Sequence, residues 1–347
     1  MTELALPQLH GAEPPTFLAA VGLLSLVTHE LGDKSATIGW PAGARSGAVL
    51  ETAAALTLDG LADALSEIAQ AMVERDELLP GAAPGFPPRK VGSAPDPTRS
   101  IHRDEAASWA RSIRDSRSTR PWLAGIVATN DVRSGNAKAG KKTEDGSEAA
   151  VLLGRNPLFD AGPGTVSVSK TLVDCRDSAT NRESVASALS AGARVAGSTG
   201  GYLDWRADLG ASAVASRRDP SNIGDPVIAW LAFMGLRVAP LVAVRGAVGS
   251  SLCQPVRVPG FRKPLVWPVW KGRLDVDAVM TLLAHPAVDL RRLTPPTPGV
   301  GASLTALGVS AVFASSRISK GNNDGAYGPP AVVWPTQVGA FAAPGHG

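Results

Sequence analysis

Leu9-His10-Gly11-Ala12-Glu13-Pro14-Pro15-Thr16-Phe17-Leu18-Ala19-Ala20-Val21-Gly22-Leu23-Leu24-Ser25-Leu26-Val27 is the stretch that decides the fold. A short strand-like lead passes through a Pro-Pro turn into an apolar helix with a glycine at its middle. Both prolines lack an N–H and suit a helix start, Thr16 is a candidate cap, and Gly32 can close the far end, so a helix is predicted over residues 16–31. Apolar residues at 17, 18, 21, 24, 27 and 31 form one stripe, and Leu23 and Leu26 spread it almost all the way round. Such a helix belongs inside a protein. Gly22 costs about 1 kcal/mol relative to alanine in a helix interior, which points to a close backbone crossing there.

Three later landmarks echo this opening. Asp225-Pro226-Val227-Ile228-Ala229-Trp230-Leu231-Ala232-Phe233-Met234-Gly235 is a second Pro-started apolar helix with a glycine. Trp267-Pro268-Val269-Trp270 precedes the apolar run 276–283, and Ser315-Ser316-Arg317 precedes Gly328-Pro329-Pro330. Each alone reads as plain core. The opening resembles that of proteins encoded in type I CRISPR operons, particularly type I-G (formerly I-U), where a large-subunit-like component or a helicase-associated extension protein begins with Leu-x-Gly-x-x-Pro-x-x-Phe-Leu-Ala-Ala-x-Gly-Leu-Leu. The order of the later landmarks is similar to that family's too.

The resemblance implies a non-catalytic subunit of a type I surveillance (Cascade) complex near the crRNA 5′ end and the site where target DNA enters. Its partners would be crRNA, target DNA, other Cascade subunits and, in a docking role, the helicase-nuclease. The protein would read a short flanking motif (PAM) while the guide reads the target. The chain is short for a full large subunit.

The 347 residues, 44% hydrophobic and 19% charged, allow a substantial core. The expected architecture is α+β: mixed short-stranded sheets with two buried glycine-containing helices, in two lobes. Residues 1–88 form an N-terminal α/β lobe, 89–210 a basic middle region with a flexible loop at 130–146, and 211–347 a C-terminal α+β lobe. Cys175 and Cys253 have no Cys-x-x-Cys partner, which fits a reducing cytoplasm and predicts neither zinc nor a disulfide framework. The run at 17–27 is too short to span a bilayer and lacks the basic lead of a secretory signal, so no membrane role is expected.

The net charge of +3 is unevenly distributed. Residues 89–142 hold twelve basic and five acidic side chains, residues 211–347 thirteen and six, leaving −11 for the rest. Segregated cations suit phosphate binding, because neutralising phosphates releases counterions. Acidic and basic lobes docking on each other would give the same pattern.

Along the chain, strands are expected at 36–40, 122–128, 165–169 and from Tyr202, and helices at 58–76, 101–117 and 182–195. Arg103, Arg114 and Arg117 share a face of the second of these helices. The segment 130–146, with Arg133, Lys138, Lys141 and Lys142 among small residues, has too little apolar surface to order itself alone and would settle on a phosphate backbone. Arg217 and Arg218 precede the second apolar helix. Arg317, Lys320, Asn322 and Asn323 carry the side-chain types that reach phosphates or base edges, although Asn-Asn-Asp-Gly equally makes a bare hairpin tip. Trp267 and Trp270 read either as core or as stacking platforms.

No catalytic constellation, metal site or cofactor motif stands out. No two of the five histidines are at helical spacing, and neither a phosphate-binding Gly-rich loop with Gly-Lys-Ser/Thr nor a Gly-x-Ser-x-Gly elbow occurs. His10 in the opening motif reads mainly as a structural hydrogen-bonder, and Asp204 with Asp208 as surface contacts. An enzyme whose residues meet only in three dimensions and a structural assembly protein with no nucleic acid are the remaining rivals.

Overall fold

The computed structural model describes residues 1–82, 86–87, 108, 111, 119–128, 154–159, 167–198, 200–204, 223–244, 247–254, 256, 258–261, 263–320 and 323–335. The expected region boundaries at 88/89 and 210/211 and most of the helix expected at 101–117 lie outside them. The fold is α+β.

Strand β1 (Thr2–His10) leads into helix α1 (Pro14–His29), with both prolines in the first turn. Every α1 residue from Pro14 to Thr28 is buried, as an all-round apolar helix requires. Its N-terminus differs from expectation in detail. Thr16 does not cap; its hydroxyl donates back to His10 O at 2.7 Å. Strands β2 (Thr37–Gly39) and β3 (Gly47–Thr52) complete an antiparallel sheet in the order β1-β3-β2. Helix α2 (Leu58–Glu74) follows, capped by Thr57, whose hydroxyl accepts from Gly60 N.

Helix α3 (Thr119–Ile126) occupies most of the run expected as a strand. Periodicity cannot separate short buried strands from short buried helices, and here helical spacing buries Trp122 and Ile126 together. A similar correction applies at 167–169, the described part of the run expected as a strand over 165–169. Ser167 is the N-cap of helix α4 (Val168–Ala179), its hydroxyl accepting from Lys170 N at 3.0 Å, while Thr171 donates to Ser167 O. The Ser167 hydroxyl thus bonds locally to a first helical turn rather than facing solvent from a strand. Helix α5 (Arg182–Ser190) follows, and α6 (Pro226–Met234) runs into a 3₁₀ turn over Gly235–Val238. The expected strand start at Tyr202 is a 3₁₀ turn instead, Gly200–Tyr202.

The α1–α6 crossing is the centre of the molecule. A Cβ added to Gly22 would lie 1.7 Å from Leu231 O, and one on Gly235 would lie 3.2 Å from Leu18 O. The two backbones therefore touch, and the close crossing expected at Gly22 is present. Gly125 of α3 plays the same part against Leu236 O, at 2.5 Å.

Strand β10 (Leu265–Trp270), wholly buried, joins β11 (Val309–Ser315) and β14 (Ala331–Trp334) in a second antiparallel sheet, order β10-β11-β14. Helices α7 (Val276–Leu283), α8 (Leu290–Leu293) and α9 (Val300–Ala306) connect β10 to β11. Ile38 and Leu274 exchange backbone hydrogen bonds at 2.9 and 3.1 Å, which link the two sheets. Phe17, Trp40, Trp267 and Trp270 cluster with ring centroids 5.0–6.0 Å apart. The two tryptophans weighed as stacking platforms are thus core, 0% and 1% exposed.

Those indoles also fix the opening motif. Trp40 Nε1 donates to Leu9 O at 2.8 Å and Trp267 Nε1 to Gly11 O at 2.8 Å, with Thr16 holding His10 O between them. Three successive carbonyls are each taken by a side chain from the core, so the turn into α1 has one conformation. A Cβ on Gly11 would meet Val269 Cγ1 at 2.9 Å, which explains glycine there.

Candidate nucleic-acid interface

Four two-stranded antiparallel ladders of two to five residues per strand lie outside these two sheets. β4 (Val127–Ala128) pairs with β5 (Gly154–Arg155) and closes the segment 129–153; β6 (Val195–Ala196) pairs with β7 (Ile223–Gly224) and closes 197–222. β8 (Leu241–Val244) pairs with β9 (Ala247–Ser250). β12 (Arg317–Lys320) pairs with β13 (Asn323–Tyr327), with Lys320 opposite Asn323. The strands β12 and β13 thus form an antiparallel pair here, but Asn323, Asp324 and Gly325 of the Asn-Asn-Asp-Gly run expected as its tip stand in β13, because Asn323 and Asp324 pair with Lys320 and Ser319.

Of the residues expected to contact nucleic acid, Arg133, Lys138, Lys141, Lys142, Arg217, Arg218 and Asn322 lie outside the described residues. The structure describes where their segments begin and end. Lys320 and Asn323 sit at the end of the β12–β13 ladder.

Arg317 is a correction. It is 3% exposed and faces inward, so no groove can reach it. Its Nη1 donates to Tyr202 O at 3.0 Å and Gly325 O at 3.1 Å, and its Nη2 to Pro157 O at 3.0 Å and Leu158 O at 2.7 Å. The guanidinium lies 3.8 Å from the centroid of the Tyr327 ring, its cross-strand neighbour. Among the described residues no carboxylate pairs with it. Four carbonyl dipoles and an aromatic face hold the charge. Tyr202 adopts φ 61°, the left-handed region that costs a non-glycine residue about 1–2 kcal/mol. That conformation accompanies its carbonyl's bond to Arg317.

Other framework arginines are also engaged internally. Arg182 bonds Asp59 and Asp63, Arg237 bonds Glu30 at 3.0 Å and lies over the Trp122 ring, and Arg273 bonds Glu3 at 2.7 Å.

A second polar feature lies beside the opening motif. A cavity of about 180 Å³ is lined by His10, Glu13, Thr16, Arg194, Asp204 and Asp225, among others. His10 Nδ1 is shielded from solvent without a hydrogen-bond partner, and Arg194 bonds Asp204 at 2.6 Å. Asp225 caps α6 by accepting from Ile228 N at 3.0 Å and also accepts from Ala193 N at 3.0 Å; burial raises its carboxyl above the ordinary range despite these bonds. Sequence reasoning named His10 and Asp204 separately and missed Arg194 and Asp225. Only Asp225 carried a signal, as an aspartate directly before a helix-starting proline. Asp208, considered with Asp204, lies outside the described residues.

Among the described residues no group of three or more His, Cys, Asp or Glu side chains is placed to hold a metal ion, and no helix is long and apolar enough to cross a membrane. No known protein family and no curated protein matches this chain in sequence.

Proposed function

We propose that this chain is a non-catalytic subunit of a type I CRISPR surveillance complex in a reducing cytoplasm, contacting crRNA and target DNA near the flanking motif. The observation that carries this reading is a division of labour among cations. Arg182, Arg194, Arg237 and Arg317 of the framework are bound to the protein's own carboxylates and carbonyls, whereas Arg133, Lys138, Lys141, Lys142, Arg217 and Arg218 lie in sequence between the paired strands of the short ladders β4–β5 and β6–β7. Within 129–153 the lysines precede three of the four carboxylates, at 144, 145 and 148, so the charges are also separated along the segment. Phosphate contacts supply affinity and register.

Co-expression with the backbone subunits of a type I complex and a guide RNA tests the reading. The chain is expected to co-purify with the assembled particle and to leave bound nucleic acid uncut. A particle that assembles and binds target equally well without it, or cleavage by the isolated chain, would refute the proposal.

The docking role toward a helicase-nuclease is favoured by one feature, a mainly apolar cleft of about 460 Å³ bordered by Pro240, Val242, Val256, Met280 and Leu283, where Val242 and Met280 are exposed. Val242→Asp with Met280→Asp would abolish nuclease recruitment in that role and leave target binding intact.

A further inference from the structure

The geometry points to the cavity beside the opening motif as a binding site for a guanidinium group on an aliphatic stem, the chemistry shared by an arginine side chain of a partner protein and a small alkylguanidine. The site goes beyond nucleic-acid contact and does not depend on it. His10 stands at the end of β1, Glu13 and Thr16 at the start of α1, Asp225 at the start of α6, and Arg194 and Asp204 on either side of the Gly200–Tyr202 turn. Three carboxylates thus share the lining with one guanidinium, a formal excess of two negative charges. Arg194 is engaged with Asp204 and the Thr16 hydroxyl donates to His10 O, so the lining offers a ligand mainly acceptors.

Several features of the lining select the ligand. His10 Nδ1 is shielded from solvent with no hydrogen-bond partner, a cost that a donor on the ligand removes. The backbone there cannot turn away to find one, because Leu9 O, His10 O and Gly11 O are each taken by a side chain. Asp225 accepts one backbone N–H on each oxygen, from Ile228 and Ala193, which leaves a second lone pair on each. Burial raises that carboxyl above the ordinary range, and a cation beside it offsets part of this. An anion fits poorly, since the N-termini of α1 and α6, which favour negative charge, already carry Glu13 and Asp225. A metal ion fits no better, because among the described residues no three His, Cys, Asp or Glu side chains are placed to hold one. A planar fork of five donors serves acceptors spread over several walls, and a cavity of about 180 Å³ admits it with part of its stem. The wall that carries Gly200 and Asp204 is fixed from behind: Arg317 Nη1 holds Tyr202 O at 3.0 Å, and a Cβ on Gly224 would lie 2.3 Å from Gly200 N. The cavity is therefore preformed, which lowers the ordering cost of binding.

The test titrates the full chain with n-butylguanidinium, with n-butylammonium and inorganic phosphate as comparisons, by isothermal calorimetry. One butylguanidinium per chain is expected, held about tenfold or more tightly than butylammonium, which has fewer donors, and not displaced by phosphate. Asp225→Asn keeps a capping side chain on α6 but removes the charge, and should weaken binding about tenfold or more. Glu13→Gln, at a position whose side chain makes no cap bond, should do the same and serves if Asp225→Asn does not fold. His10→Leu should weaken binding by a similar factor, and Asp59→Asn, in the surface pair with Arg182 away from the cavity, should leave it unchanged.

Two further probes separate the sources of the group. Nα-acetyl-arginine amide bound as tightly as butylguanidinium supports the site and assigns it to a side chain of a partner protein; a preference of about tenfold or more for free arginine supports it and assigns a small molecule. No binding of butylguanidinium at millimolar concentration, binding indifferent to Asp225, Glu13 and His10, or equal binding of phosphate in its place would overturn the inference. Each of those results leaves nucleic-acid contact by the cationic segments standing, and loss of that contact leaves this site standing.

Discussion

The α1–α6 crossing and the Arg317 node both hold distant parts of the chain together, by opposite means. At the crossing, side chains are deleted so that backbones meet: Gly22 lies against Leu231 O and Gly235 against Leu18 O. At the node, a long charged side chain is inserted so that backbones which do not meet are joined through four hydrogen bonds from its two terminal nitrogens. The first kind of contact tolerates no added atom, the second no lost donor.

That contrast is broken most severely at Gly22. Gly22→Ala should destabilise the chain by about 3 kcal/mol or more, or prevent folding, because its Cβ meets backbone that cannot swing aside. Gly272→Ala, where an added Cβ meets nothing within 4 Å, is the control and should stay within about 0.5 kcal/mol by urea denaturation. A similar loss in both would mean that the crossing is not special. Next in size is Trp267→Phe, which keeps most of the apolar area but leaves Gly11 O without its donor; about 1–3 kcal/mol is expected. No loss of stability would show that the indole N–H does not hold the opening turn.

A pH series sharpens the comparison further. Burial, with Arg237 and Lys34 nearby, lowers His29 from 6.5 to about 4. The unfolded chain then binds a proton that the folded chain does not, so stability is fully present above pH 6.5 and is lost as pH falls from there toward 4. Melting temperatures should decline over that window, and His29→Gln should flatten this part of the decline. The smallest effect belongs to Arg273→Ala, a surface pair with Glu3, at under about 1 kcal/mol. A larger loss would mean that framework ion pairs carry stability comparable to the node's.

The two regions also differ in how far the sequence discloses them. Gly22 amid an all-round apolar helix and two Pro-started helices are local patterns with local causes, and the structure has the crossing and both helices; the Asn-Asn-Asp-Gly run marks a strand pair too, but Asn323, Asp324 and Gly325 stand in β13 rather than at a tip. Short segments were harder. The run at 122–126 is helical because tertiary packing on Leu236 chooses between two states that periodicity leaves equal. Arg317 was illegible because its acceptors are backbone carbonyls, which every residue has, and the farthest is 160 residues away. A Ser-Arg-Ile-Ser-Lys strand reads as surface until a tyrosine opposite and four inward-facing carbonyls supply a place for the charge. The cavity beside His10 was hidden for a similar reason: its lining comes from three separated stretches of chain.

Neutralisation of phosphates by the cationic segments is the central proposal, and the salt dependence of binding reads it directly. The affinity of the full chain for a labelled duplex, measured by fluorescence anisotropy over a series of salt concentrations, should fall linearly on logarithmic axes. Lys138→Gln/Lys141→Gln/Lys142→Gln should reduce the magnitude of that slope by about three, one per lost phosphate contact. An affinity indifferent to salt, or a slope unchanged by the triple substitution, would contradict it.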